Sequence, residues 1–300
     1  MMQKVLKWIG IVLGGLVGLI VLLIAGLLVY STATYKRTVD RPVYEITADT
    51  SPEGVARGEY LVRAVVDCGG CHSPDGTNGP LSGYAQDFVE GPISMVFSSP
   101  NLTPDAETGL GDWTDAEIAR AIREGLDKDG VELIMPSVIY HNLSDADTAA
   151  IVGYLRSLEP VRNEPPPLEM NAFTKVMVTL GQFFPRNPQA AITAPVTAPP
   201  PGVTVEYGAY LAAGCGDCHG ENLAGGTGPG PAAPNITTGG ELAGVTEEGF
   251  IKLVRTEADI LPPGRTEEEM PWKALANMTD EDLRAVFAYI QSVPAAESGE

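Results

Sequence analysis

Basic residues are scarce in this sequence. It contains 19 lysines and arginines against 39 aspartates and glutamates, which gives a formal net charge of −20. The two long segments beyond the first fifty residues are both acidic. A nucleic-acid-binding surface needs a high density of cations to displace counterions, so the composition argues strongly against nucleic acid as a partner. An acidic surface suits docking to a basic surface on another protein, although it also serves solubility alone.

Cysteine and histidine are also rare, since the chain has four cysteines and three histidines. All four cysteines and two of the histidines fall into two motifs, Cys68-Gly69-Gly70-Cys71-His72 and Cys215-Gly216-Asp217-Cys218-His219. This spacing is typical of covalent haem attachment. Two thiols so spaced can reach the two vinyl groups on one edge of a porphyrin, and the next histidine is then brought under the iron. The motifs therefore predict two covalently bound haem c groups, with His72 and His219 as iron ligands.

Other interpretations of these cysteines are weaker. Cysteines of exported proteins usually form disulfides, but two vicinal pairs that are each followed by histidine would be an odd coincidence. A zinc site needs a second pair of ligands nearby, and Cys71 and Cys215 lie far apart in the sequence. A thioredoxin-like redox pair needs a βαβ context, and no segment of the sequence is a convincing strand.

Each haem also needs an iron ligand on its other face. The candidates are Met135 and Met270, because each begins a Met-Pro pair at the matching place in the chain. A thioether opposite histidine raises the reduction potential of haem iron. Methionine can instead fill gaps in a core. For the first haem the competing ligand is His141, but its counterpart in the second half is Ala276, which favours a surface position for this histidine.

An internal repeat covers most of the chain beyond residue 50. Gly58-Glu59-Tyr60-Leu61 matches Gly208-Ala209-Tyr210-Leu211, Asn101-Leu102-Thr103 matches Asn235-Ile236-Thr237, and Tyr154-Leu155-Arg156-Ser157 matches Tyr289-Ile290-Gln291-Ser292. A repeat this long indicates two complete domains in tandem. Thr114, Ser144 and Thr279 each begin a capping box before an apolar, helix-spaced run. The sequence therefore predicts an all-α fold, with its helices joined by long connections.

The two matching glycines have a predicted role in packing. Gly58 and Gly208 would let the first helix of each domain approach the last helix closely, with Tyr154 and Tyr289 opposite. Ordinary core packing explains the two tyrosines equally well.

The N-terminal part of the chain is apolar. Residues Trp8 to Tyr30 form an uncharged run of 23 residues. As a helix it would be about 35 Å long, enough to span the hydrocarbon core of a bilayer. A cleaved signal peptide has a shorter apolar region and a small-residue cleavage site, which Ser31-Thr32-Ala33 imitates poorly. We therefore expect an uncleaved transmembrane anchor.

These features divide the chain into five segments. We predict a transmembrane anchor over residues 1–34, a linker over 35–50, a first haem domain over 51–163, a Pro-rich linker over 164–201 and a second haem domain over 202–296. The Pro-rich linker contains a short amphipathic helix. Its apolar face, expected to pack between the domains or to touch a membrane or partner, consists of Phe173, Val176, Met177, Leu180, Phe183 and Phe184.

Both halves resemble class I cytochrome c domains, with Cys-x-x-Cys-His near the start and Met-Pro before the final helix. The whole chain is similar to the membrane-anchored multihaem cytochrome c subunits of periplasmic dehydrogenases. The shared features are the loop from Asn101 to Asp105, the helix start at Trp113-Thr114-Asp115, and Met135-Pro136. The chain has two haem motifs, whereas the better-known members have three. The resemblance implies that both haem domains lie on the periplasmic side of the inner membrane, because haem of this type is attached outside the cytoplasm.

The function that follows is electron relay. We expect single electrons to pass from a respiratory complex or dehydrogenase to a downstream oxidase or soluble carrier, with no small-molecule substrate. The main alternative is a haem enzyme, such as a dihaem peroxidase or a thiosulfate-oxidising cytochrome. Such an enzyme needs one iron with an open or unusual ligand position, and both halves offer the same methionine. A redox or gas sensor is a second alternative, but no output domain is recognisable.

Overall fold

The computed structural model describes residues 2–181, 189–226, 233–259 and 270–296. The chain divides into two compact units. The first comprises Met1–Thr38, Gln86–Phe97 and Pro167–Arg186, and the second comprises Val39–Ala85, Ser98–Pro166 and Asn187–Glu300.

The first unit is built on one long helix, α1 (Met2–Thr34). Its side chains from Trp8 to Tyr30 are almost all apolar and mostly exposed. The helix is long and apolar enough to cross a membrane, and a signal sequence near an N-terminus has the same length and composition. The last turns of α1 are covered on one side, where Ser31 is buried and donates its hydroxyl to the carbonyl oxygen of Leu27.

A short helix packs against this end of α1. It is α7 (Ala172–Thr179), which begins where the side chain of Asn171 accepts a hydrogen bond from the amide of Thr174. Thr174 and Val178 are its buried residues, whereas Phe173 and Leu180 are 44% and 53% exposed. The other two described residues of the predicted apolar face, Val176 and Met177, are half-buried. The other two aromatic residues of that face, Phe183 and Phe184, lie outside the described residues.

Most of a three-stranded sheet also belongs to the first unit. Strands β1 (Tyr84–Glu90), β2 (Ile93–Ser99) and β3 (Glu169–Met170) lie in that order, and β2 pairs antiparallel with β3. The expectation that the sequence contains no strand is wrong here. A two-residue turn at Gly91 and Pro92 joins β1 to β2, and Gly91 has φ +55°, which glycine adopts without strain. The β-branched and aromatic residues on either side of this turn were the available signal.

The second unit contains the two repeats, each of which is helical. The first repeat consists of α2 (Pro52–Tyr60), a π-helical segment (Leu61–Val65), α3 (Cys68–His72), α4 (Asp115–Glu124), α5 (Ser137–Tyr140) and α6 (Asp145–Ser157). The second repeat consists of α8 (Val205–Leu211), α9 (Cys215–His219), α10 (Glu247–Asp259), α11 (Trp272–Asn277) and α12 (Asp280–Ser292). The repeats thus share one order of helices around two apolar clusters. The helical repeats agree with the prediction, and the fold as a whole is helical with a small sheet.

In both repeats the first helix crosses the last one closely. A Cβ atom on Gly58 would overlap the carbonyl oxygen of Ala150 in α6, and one on Gly208 would overlap that of Ala285 in α12. Tyr154 and Tyr289 lie directly beside the two glycines. The packing role predicted for Gly58 and Gly208 is therefore confirmed, because no side chain larger than hydrogen fits at either crossing.

The predicted helix starts are correct, but only one of the three capping boxes closes on itself. At α4 the hydroxyl of Thr114 accepts from the amide of Glu117, and the Glu117 carboxylate accepts from the amide of Thr114. At α6 and α12 the hydroxyls of Ser144 and Thr279 accept in the same way from the amides three residues later. There the N-cap amides donate to tyrosine hydroxyls and not to a carboxylate of the same helix: Ser144 to Tyr210 and Thr279 to Tyr60.

Candidate haem sites

The two Cys-x-x-Cys-His motifs form short helices of their own, α3 and α9. Helix α3 begins after Asp67, which has φ 45° and accepts a hydrogen bond at its side chain from the amide of Gly70. In each motif the first cysteine is half-buried and the second is exposed, and none of the four is in a disulfide. One helical turn separates the two thiols of each pair, so both are presented on the same side of the helix.

Before haem is attached, the half-buried thiol of each motif has a pKa above the ordinary range of cysteine. Burial, followed by the nearby Asp67 and Cys71, raises the pKa of Cys68 to about 12. Burial, followed by Cys218, raises the pKa of Cys215 to about 11. The low-pKa thiolate that a redox-active cysteine requires is therefore missing from both positions.

The two motif histidines are buried and held in the same way. The Nδ1 atom of His72 lies 2.8 Å from the carbonyl oxygen of Pro100, and that of His219 lies 2.8 Å from the carbonyl oxygen of Pro234. A carbonyl oxygen only accepts, so Nδ1 is the protonated nitrogen and Nε2 keeps its lone pair for a metal. Burial lowers the pKa of His72, although the Pro100 carbonyl opposes the shift, and this favours the neutral ring that can act as a ligand.

The carbonyl that orients each histidine is fixed by the repeated Asn-x-Thr loop. Asn101 Oδ1 accepts from the amide of Thr103 at 2.9 Å and from its hydroxyl at 2.8 Å. The Asn101 amide group donates to the carbonyl oxygen of Val161, beyond the last helix of the repeat. In the second repeat the same bonds join Asn235 to Thr237 and to the carbonyl oxygen of Ala296. The sequence showed that this loop repeats, but not that the proline before it positions the histidine.

The two candidate methionines share one local structure. Pro136 has φ −74° and ψ 52°, and Pro271 has φ −76° and ψ 61°, which are the angles of an inverse γ-turn. The turn is closed by a 2.7 Å hydrogen bond from the amide of residue 137 to the carbonyl oxygen of Met135, and from the amide of residue 272 to that of Met270. Both methionines are half-buried. Each therefore begins a sharp turn ahead of a short helix, in the same place in both repeats.

His141, the competing candidate, follows α5. Its ring is half-buried, and its Nδ1 atom lies 2.9 Å from the carbonyl oxygen of Arg123 in α4. This contact leaves Nε2 available, as in His72 and His219. Met135 therefore stays a prediction, and the axial ligand of the first site needs a direct measurement.

The donor set of these sites suits haem and does not suit a zinc cluster. In the part of the chain that the structure describes, no group of three or more His, Cys, Asp or Glu side chains could hold a metal ion.

Trp272 lies directly after Met270-Pro271. Its indole Nε1 is buried and has no acceptor among the described residues. A buried N–H needs an acceptor, and a propionate carboxylate of haem would supply one.

Fold and motifs together define a chain with two helical haem-binding repeats. The cytochrome c family model matches residues 55–159 and 205–294, which is more than half of the chain. The chain belongs to the cytochrome c family. It carries two covalently bound haem c groups, one for each matched stretch.

Three relatives illustrate the setting in which similar chains occur. The chain is 27% identical to the fructose dehydrogenase cytochrome subunit of Gluconobacter japonicus, over 87% of this chain and 57% of that protein. It is 29% identical to the gluconate 2-dehydrogenase cytochrome c subunit of Pantoea cypripedii, over 82% of this chain and 61% of that protein. It is 27% identical to a dihaem c-type cytochrome of Cereibacter sphaeroides, over 81% of this chain and 86% of that protein. The chain thus spans about three fifths of the length of these two dehydrogenase subunits.

Replacement of the first cysteine pair tests the attachment sites. In Cys68→Ala/Cys71→Ala we expect half the covalent haem per chain, because thioether bonds survive denaturation and only the second motif retains its thiols. Pyridine haemochrome absorbance of the denatured protein gives the ratio. The matched variant Cys215→Ala/Cys218→Ala should give the same ratio, with the haem on the other repeat. Full haem content in either variant would contradict the assignment.

Replacement of the two methionines tests the predicted axial ligands. Met135→Ala and Met270→Ala should each lower the reduction potential of one haem only, because a thioether opposite histidine stabilises the reduced iron. Redox titration gives the potentials, and magnetic circular dichroism identifies the ligands. His141→Ala serves as the control, and its spectrum should match that of the unaltered protein. A bis-histidine signal that disappears in His141→Ala would show that His141, and not Met135, is the second iron ligand of the first haem.

Proposed function

We propose that this protein relays single electrons on the periplasmic side of the inner membrane. It would take them from a dehydrogenase or respiratory complex and pass them to an oxidase or soluble carrier. Cytochrome c domains in two stretches support electron transfer, and relatives named as dehydrogenase cytochrome subunits support a redox protein as the partner. Bound haem supplies one-electron chemistry at its iron. The residues of the chain would hold the group and orient its histidine ligands.

The observation that carries the proposal is the matched geometry of the two sites. Both histidines are buried and oriented by a prolyl carbonyl, and both Met-Pro turns have nearly the same backbone angles. A relay needs two saturated irons that change little when an electron arrives. An enzyme needs one iron that is open to its substrate, and the two repeats would then be expected to differ at this turn.

The proposed location rests on α1. The helix is long and apolar enough to cross a membrane, and haem of this type is attached outside the cytoplasm. We propose that α1 is retained as a single-pass anchor, with the N-terminus inside and both repeats outside. The acidic repeats would then dock on a basic surface of the redox partner.

Topology has a direct test. A reporter that is active only outside the cytoplasm should work when fused after Glu300 and fail when fused before Met1. The mass of the mature protein extracted from membranes should include residues 2–34, because α1 is an anchor. The reporter fused before Met1 is the control for the one after Glu300. A mature chain that begins near Ala33 would make the segment a signal peptide.

Carbon monoxide separates a relay from an enzyme. The reduced protein should bind carbon monoxide poorly, and the oxidised protein should show negligible peroxide or thiosulfate turnover, because the matched histidines and methionines would leave no iron position open. Met270→Ala is the positive control, since it removes one axial ligand and should bind carbon monoxide readily. Rapid carbon monoxide binding at one haem of the unaltered protein, together with peroxide or thiosulfate turnover, would contradict the relay and indicate a haem enzyme.

A further inference from the structure

Two tyrosines of the repeat join the halves of the second unit. Tyr60 ends α2 in the first repeat, and Tyr210 lies at the matching place in α8. The Tyr60 hydroxyl donates to the carboxylate of Asp282 in α12, and the Tyr210 hydroxyl donates to that of Asp147 in α6 at 2.7 Å. Each tyrosine therefore reaches from its own repeat to the last helix of the other repeat.

These contacts complete the two capping boxes that do not close on themselves. The amide of Thr279 donates to the Tyr60 hydroxyl at 3.2 Å, and the amide of Ser144 donates to the Tyr210 hydroxyl at 3.1 Å. In each case the hydroxyl lies between the N-cap amide and the carboxylate three residues later. It accepts from the first and donates to the second. In an ordinary capping box a side chain of the same helix accepts from the N-cap amide, as Glu117 does at Thr114.

The arrangement is reciprocal, like the interface of a two-fold symmetric dimer. One contact is the image of the other under exchange of the repeats. Burial, followed by the carboxylate of Asp147, raises the pKa of Tyr210 to about 12, so its hydroxyl stays protonated and able to donate. Burial and the hydrogen bond to Asp282 also raise the pKa of Tyr60.

Arg57 connects the two contacts. Its guanidinium makes two bonds to the Asp147 carboxylate, of 2.9 and 3.0 Å, and lies 5.6 Å from the centroid of the Tyr60 ring. One cation therefore touches the acceptor of Tyr210 and the ring of Tyr60. The counterpart of Arg57 in the second repeat is Tyr207.

The same interface brings the two haem-attachment motifs together. Ile139 of α5 lies beside Gly214, the residue before Cys215. The Tyr140 hydroxyl donates to the carbonyl oxygen of Val66 at 2.8 Å, just before the first motif. Helix α5 thus lies between the motifs.

We propose that Tyr60 and Tyr210 are positioning residues of the relay: each closes the open capping box of the other repeat, and together they hold the two haem-attachment motifs at one separation. The proposal rests on the proposed function, because a fixed separation matters only if an electron crosses between the haems. In that exchange one haem is oxidised as the other is reduced, and no bond or proton changes place.

The test uses hydrogen exchange at the N-cap amides of the full-length haem protein. In Tyr60→Phe the ring remains and the hydroxyl is lost, so exchange at Thr279 should rise by up to about tenfold, the factor that corresponds to one neutral hydrogen bond. Because the contacts hold one interface, exchange at Ser144 should rise as well. Exchange at Thr114, whose box closes within α4, should not change. In Tyr210→Phe the roles of the two amides should be reversed. Ser144 loses its hydrogen bond and should exchange faster, Thr279 should follow through the shared interface, and Thr114 should not change.

A second measurement links the interface to electron transfer. After photoreduction, a single electron should equilibrate between the haems more slowly in Tyr60→Phe/Tyr210→Phe than in the unaltered protein, while each haem keeps its own potential. Tyr289→Phe, on α12 beside Gly208, is the matched control and should leave the rate unchanged. Asp282→Asn keeps a carbonyl acceptor for Tyr60 and should retain most of the protection at Ser144.

One pair of results would overturn the proposal. If Tyr60→Phe speeds exchange at Thr279 alone, and the double variant equilibrates at the normal rate, the tyrosines are local caps and do not set the arrangement of the repeats. This outcome differs from failure of the proposed function, which would appear as carbon monoxide binding and turnover in the unaltered protein.

Discussion

The close crossing of the first and last helices in each repeat is the constraint on which the rest of the second unit depends. At Gly58 and Gly208 the two backbones approach until only a hydrogen atom fits between them. The haem motif follows the first helix after a few residues, and the segment after the last helix receives the bond from the Asn101 or Asn235 side chain. The crossing therefore brings together the two ends of each repeat, and the histidine and its prolyl carbonyl are placed between them.

Interactions that are local in sequence were predictable. The cysteine spacing, the helix starts at Thr114, Ser144 and Thr279, and the two glycines each have a signal within a few residues. The bond from His72 to Pro100 was not predictable from the motif alone, because a carbonyl oxygen has no sequence signature. Its position beside a repeated Asn-x-Thr was a usable signal, since a loop kept in two copies indicates a shared geometric task.

Interactions between the repeats were harder to anticipate. Tyr60 and Tyr210 stand in the repeated segment, yet each serves the helix of the other repeat. The boxes at Ser144 and Thr279 look complete in sequence, because the residue three positions later is an acid in both. The sequence pattern does not distinguish an aspartate that accepts a hydrogen bond from the N-cap amide of its own helix from one that accepts a hydrogen bond from a distant hydroxyl. The strands β1 and β2 were missed for a simpler reason, since the helical repeats dominated the pattern of the chain.

The second repeat has no arginine at the position that matches Arg57, and this affects how the two halves can diverge. In a dimer of identical subunits every substitution occurs twice, so a cation at this position would face its own image across the axis. Here the two halves are covalently joined, and the matching position is held by Tyr207, whose pKa Arg57 lowers against the larger effect of burial. One carboxylate of the interface, Asp147, consequently has a paired cation, while its counterpart Asp282 accepts from a neutral hydroxyl. Fusion thus lets a geometrically symmetric interface carry an asymmetric electric field, and two chemically identical cofactors can experience unequal surroundings without any change in backbone.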